Sequence, residues 1–209
     1  DYIAFEADFT NFLVGLLTEA KETALWQSAI GGSGGSNLTQ FDGFNKIILD
    51  ASATTINGNP TGITTGTGIT SANVIGIFDG MWAVLPAKLK GKADLQFFVG
   101  GDTFDKLILA LKSANLFYYD GVNGSAYQSQ ELILPGTGIK VVAYYGLDGT
   151  NRIHLGRTSN FVIGTDLESD EDMFNIRENP ISLTMMLDIH FKLGTQVKFP
   201  NEIVTFKLV

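Results

Sequence analysis

Apolar side chains recur in steps of three and four from the start of the chain: Phe5, Phe9, Phe12, Leu13, Leu16, Ala20 and Ala24. Such spacing stacks on one face of a helix and predicts one over Phe5–Ala29. Glu6 and Asp8 suit the positive end of its dipole, and Gly31 and Gly32 end it, since glycine takes the left-handed cap conformation freely. At 1.5 Å per residue the helix is roughly 37 Å long, well beyond three turns, so its stripe needs cover along its whole length. Val74, Ile77, Phe78, Met81 and Leu85 predict a second helix, begun after Thr70 or Ser71 and stopped near Pro86. Phe104, Leu107, Ile108 and Leu111 predict a third, opened by Gly100-Gly101 with Asp102 as its cap and Asp105 in the capping-box position.

Between and beyond the helices the period changes to two. Short strands are predicted at 45–50 (NKIILD), 95–99 (LQFFV), 131–134, 139–145, 152–155 and 160–164. In the tail, Leu183, Met185, Leu187, Ile189, Phe191 and Leu193 alternate with Ser182, Thr184, Met186, Asp188, His190 and Lys192, a strand of about 36 Å. Val204, Phe206 and Leu208 predict a strand returning beside it. The expected fold class is α+β: a long helix packed on long antiparallel strands, with Phe9, Leu13 and Leu16 against Leu187, Ile189 and Phe206. A mixed α/β lobe is inserted between them. The expected boundaries are 1–47, 48–150 and 151–209. Loops rich in Gly, Ser, Thr or Asn separate the elements at 31–44, 51–70 and 113–130, with Asn57-Gly58 as a candidate tight turn.

Composition narrows the chemistry. With 22 acidic against 14 basic residues and a net charge of −8, a phosphate backbone is repelled rather than bound. The absence of cysteine removes disulfides, thiolate metal sites and cysteine nucleophiles. No apolar run approaches the ~18 residues of a membrane span, and no signal-peptide pattern is present. The glycine-rich stretch Gly31–Gly35 follows a helix, whereas a phosphate loop precedes one; Gly66-Thr67-Gly68 precedes a helix but lacks a third glycine and a following lysine. His154 and His190 fall on predicted strands, with no HExxH spacing and no GxSxG elbow, and His190 shares a face with Asp188 and Lys192, so a polar-face pairing is expected. The acidic run Asp166, Glu168, Asp170, Glu171, Asp172 lacks the glycine and the closing glutamate of an EF-hand. It reads as a solvated turn or, with Arg177, as a contact for Arg or Lys of a neighbouring subunit. No reaction centre, cofactor or metal is expected.

The order of these pieces resembles the major capsid proteins of tailed bacteriophages, the Hong Kong 97-type fold. ETALWQSAIGGSGGSNLTQFDGF is similar to the end of that family's spine helix, and ANVIGIFDGMWAVLPAKL with LQFFVGGDTFDKLILAL is similar to its axial domain. ILPGTGIKVVAYYG, RIHLGRTSNFVIGTDL and FNIRENPISLTMMLDIHFKLGTQVKFPNEIVTFKL resemble its later strands. The resemblance implies a peripheral domain from residues 1–47 and 151–209, and an axial domain at 48–150. It also implies an N-terminal arm and extended loop ahead of the spine helix, which this chain, helical almost from Asp1, is expected to lack. The implied function is a structural one: copies of the chain form pentamers and hexamers of an icosahedral phage or prophage head. That head encloses double-stranded DNA without binding it specifically and is assembled in the bacterial cytoplasm, with no membrane partner. One rival keeps the fold as the shell of an encapsulin compartment. Another is a secreted glycan-binding or adhesive protein using Tyr118, Tyr119 and Tyr127. An enzyme is disfavoured because no catalytic groups converge.

Overall fold

The structure, a computed structural model, describes residues 2–33, 35, 38–60, 68–116, 131–165, 173–179, 184–190 and 192–207; residues 2–7, 10, 173–179 and 184–190 are described by their backbone. Four helices are present among them: α1 (Tyr2–Gln27), α2 (Phe44–Asp50), α3 (Val74–Val84) and α4 (Gly101–Ser113). The strands are β1 (Ile56–Asn57), β2 (Leu95–Val99), β3 (Glu131–Ile133), β4 (Lys140–Ala143), β5 (Arg152–Arg157), β6 (Phe161–Gly164), β7 (Met173–Asn179), β8 (Thr184–His190), β9 (Gly194–Val197) and β10 (Val204–Lys207).

Six strands make the central sheet, in the order β1-β10-β5-β2-β4-β3. β2 runs parallel to β4 and antiparallel to β5, and β10 runs antiparallel to β5 and parallel to β1. Alternation along each strand sends side chains to two different layers. Leu95, Phe97 and Val99 of β2, Ile153 and Leu155 of β5, and Val204 and Phe206 of β10 meet α3 and α4 on one face. Phe98 and His154 point to the other, where the last turn of α1 and α2 lie. Both faces are thus covered, and β2 is buried throughout. The predicted stripe of α3 is fully buried, and Phe104, Leu107 and Leu111 of α4 are buried, with Ile108 at the margin.

Three expectations are corrected. NKIILD is a helix, not a strand: Phe44 and Ile48, four residues apart, both enter the core, and Lys46 pairs with Asp50 at 2.5 Å on the opposite side. α4 is capped by Gly100 rather than Asp102, and its first-turn Gly101 N–H donates to the distant Asp148 carboxylate. The described part of the predicted tail strand, Thr184–His190, is the single strand β8, which pairs antiparallel with β7, while β9 begins after it and pairs β6.

The third correction concerns Phe206; the side chains of Leu187 and Ile189 lie outside the described residues. Phe206 lies in the α3–α4 core between β5 and β1, not against α1. Along α1, Phe12 is 62% and Leu16 48% exposed, while Ala24 and Trp26 are buried. Among the described residues the chief neighbours of α1 are the 3-10 turn at Tyr145–Leu147 and α2, which meet its C-terminal end. Glu6 and Asp8 also fall outside its first turn, because the helix begins at Tyr2.

Candidate functional site

The most constructed feature of the molecule is the junction where α1 meets the sheet. Trp26 sits over the His154 ring, with centroids 6.0 Å apart and planes 5° from parallel. Phe44, Phe98, Tyr144 and Phe161 close around the indole at 5.2–5.8 Å. Such tilted aromatic contacts add to the area already buried. Backbone approaches need glycine here. A Cβ on Gly146 would meet the Glu22 carbonyl and lie 2.6 Å from Trp26 Cδ1, and one on Gly43 would lie 2.8 Å from the Leu25 carbonyl. Gln27 ties the end of α1 down, its amide donating to the Gly146 carbonyl at 2.8 Å.

His154 is enclosed. Its Nε2 lies 2.8 Å from Asn45 Oδ1 and its Nδ1 3.0 Å from the Thr205 hydroxyl. With Asn45 presenting its carbonyl oxygen, Nε2 carries the proton and Thr205 donates to Nδ1. Burial, aided by the charge of Arg152, pushes the pKa down to about 3, so the ring is neutral at ordinary pH. A neutral imidazole with both nitrogens engaged joins β5, β10 and α2; it is a fastener rather than an acid or base.

Beside it, Arg152 donates from Nη1 to the Asn45 carbonyl at 3.1 Å. The guanidinium borders an open cavity of about 350 Å³ between the end of α1, α2 and the turn before β5. Burial holds its pKa below the ordinary arginine value. At the far end of β5, Arg157 is satisfied differently: its Nε donates to both Asp94 oxygens at 3.0 Å and its Nη1 lies 3.7 Å from Glu202.

Of the residues singled out from sequence, Asp166, Glu168, Asp170, Glu171 and Asp172 lie outside the described residues, as do Tyr118, Tyr119 and Tyr127. Arg177 is in β7, opposite Met186, and His190 ends β8, opposite Met173. The expected pairing of His190 with Asp188 and Lys192 involves β8 side chains outside the described set. Among the described residues no three His, Asp or Glu side chains are placed to hold a metal ion. No helix among them is long and apolar enough to cross a membrane. The junction residues Asn45, Trp26 and Thr205 carry no motif that singles them out in sequence. The one signal available there is that tryptophan occurs only twice in the chain.

No family model and no curated protein sequence matches this chain. Solved structures do. A chain of the satellite phage P4 procapsid that includes the size determination (Sid) protein superposes with a TM-score of 0.59 at 11% identity, over 97% of this chain and 67% of that one. A chain of the cyanophage A-1(L) capsid gives 0.56 at 11% identity, over 92% and 65%. A chain of the capsid of an empty GTA particle gives 0.50 at 14% identity, over 98% and 72%. This chain therefore spans about two thirds of the length of the capsid chains whose fold it shares.

Proposed function

We propose that this chain is a major capsid subunit, assembling with copies of itself into the pentamers and hexamers of an icosahedral phage or prophage head around double-stranded DNA. One observation carries this reading: its mixed α/β fold follows chains of three capsid structures over 92–98% of its length. The Hong Kong 97-type plan accounts for a long helix anchored at one end, α1, beside a lobe of sheet and helices. In that plan the axial lobe is residues 48–150 with β5 and β10 completing its sheet, α1 belongs to the periphery, and residues 166–172 with Arg177 take part in contacts between subunits. One subunit in two ring sizes needs small shifts between lobes, and closed symmetry repeats each contact around the shell. The net charge of −8 is consistent with a wall that does not adhere to packaged DNA. The role is structural rather than catalytic.

Sedimentation and negative-stain microscopy of the whole gene product under assembly conditions test this. Shells or ring-shaped capsomers are the expected result. A protein that stays monomeric throughout overturns the proposal, and shells that contain a protein cargo but no nuclease-protected DNA move it to the encapsulin reading.

A further inference from the structure

Charge is unevenly spread over this chain. Basic residues number 14 against 22 acidic ones, yet six of the 14 gather at one end of the central sheet, where β2 and β4 begin and β5 ends. Lys88, Lys90 and Lys92 stand on the loop that leads into β2, Lys140 opens β4, and Arg157 closes β5. Lys198 joins them, its backbone N–H donating to the carbonyl of Asn160 just beyond β5. Arg157 is neutralised by Asp94 and Glu202, and Lys140 lies 3.5 Å from Glu131. Lys88, Lys90, Lys92 and Lys198 make no ion pair among the described residues. The loop that presents the first three is held in place. Tight turns close from the Leu89 N–H to the Pro86 carbonyl at 2.9 Å and from the Lys92 N–H to the Leu89 carbonyl at 3.0 Å. Leu89 is buried beneath them, and the Lys90 ammonium rests 4.5 Å from the centre of the Trp82 ring. Like charges crowded in this way repel one another, and a negative partner relieves the repulsion.

The opposite end of the same sheet carries the counter-charge. Asp102 and Asp105 lie in the first two turns of α4, directly after β2, and the Asp148 carboxylate reaches the Gly101 N–H from the turn that follows β4. Glu22 of α1 lies beside that turn, its Oε1 3.4 Å from the Gly146 nitrogen. Lys106 is 3.7 Å from Asp102, whose other carboxylate oxygen is buried without a partner among the described residues, and Asp105 is exposed. β2 separates the two ends, and no lysine of the loop pairs with these carboxylates within the chain. We propose that the lysine end of one copy docks on the α4 end of the next, with Lys88, Lys90 and Lys92 meeting Asp102 and Asp105. The inference rests on the shell-forming reading above and names the charged surfaces that would meet. A chain at −8 is a poor match for a phosphate backbone, whereas a second copy brings the carboxylates with it. Unlike ends make a heterologous contact, which closes into a ring by repetition. Exposed ion pairs add little strength each, so the contact acts on encounter rate and register.

Zero-length carbodiimide coupling tests it, because it joins amines only to carboxylates already in contact. Unlabelled and 15N-labelled copies of the unsubstituted gene product are mixed, assembled, coupled and digested. Mixed-label peptides joining Lys88, Lys90 or Lys92 to Asp102 or Asp105 are expected. Particles that assemble without such links overturn the proposal, as do links of one label only. A kinetic readout stands beside this one. Lys88→Glu with Lys92→Glu, which leaves Lys90 on Trp82, should slow assembly at low salt at least about tenfold, and the gap should close in about 1 M salt. Adding Asp105→Lys to that variant should bring the rate back toward native, a recovery that a folding defect would not allow; no recovery overturns the pairing. Assembly of the double variant at the native rate also overturns it, and loss of packaged nucleic acid in those particles would assign the lysines to phosphate instead. If the unsubstituted protein forms no oligomer, the shell-forming reading falls, and this inference with it.

Discussion

At the scale of single residues, His154 ties stability to pH. Its folded pKa of about 3 lies below the ordinary value of 6.5, so between those values the unfolded chain binds a proton that the folded chain refuses. Its contribution is complete above about pH 6.5 and is lost as pH falls toward 3, with a slope approaching about 1.4 kcal/mol per pH unit. Of the groups facing it (Trp26, Asn45, Thr205 and Arg152) only Arg152 is charged, and it cannot accept the proton. Urea midpoints measured from pH 7 to 4 should therefore fall more steeply for the native protein than for His154→Gln; parallel curves would contradict the buried neutral ring. Gly146→Ala is expected to cost about 1–3 kcal/mol by thermal melts, because the new methyl meets the α1 backbone as well as the indole. Neither effect was legible in sequence. His154 and His190 look alike there, and what separates them is a partner, Asn45, 109 positions away.

Among elements, α1 is packed at its C-terminal end, at Ala24 and Trp26, while Phe12 and Leu16 are exposed. Trp26→Ala should destabilise by about 3–5 kcal/mol, as large aromatic truncations in a packed core do. Phe12→Ser, at an exposed position on the same helix, should change the stability of the chain by no more than about 0.5 kcal/mol. Equal losses in denaturant titrations would mean that the helix is covered along its length after all. Periodicity foretold α1, α3 and α4 because each has enough turns for a stripe to emerge, though on α1 Phe12 and Leu16 of that stripe are exposed. It failed at α2, where the adjacent Ile47 and Ile48 suggested β-structure and seven residues were too few to show the helical period. The Lys46–Asp50 spacing and the Phe44–Ile48 step were the signals that pointed the other way. For α4 the cap was invisible locally, since the carboxylate that meets its first turn comes from a loop 47 residues later.

For the whole molecule, strand content was readable and strand neighbours were not. The in-and-out alternation of Val204 and Phe206 was right, but its partners are β5 and β1 rather than β8. Alternation specifies which face is buried, and long-range pairing specifies against what. The β7–β8 hairpin forms a two-stranded sheet of its own, separate from the six-stranded one. Two-stranded units are marginal alone, so amide exchange in the free chain should be fast across β7 and β8 and slowest in β2, which is buried throughout. Uniform protection would show that the hairpin is welded to the rest. β10 also sets a timetable. It is wedged between β1, made of residues 56–57, and β5, made of residues 152–157, so the gap between them stays open until residue 207 has cleared the ribosome. A nascent chain cannot finish its sheet early. Completion of the sheet therefore waits for β10, long after β1 and β2 have been made, and until then β5 keeps one edge open.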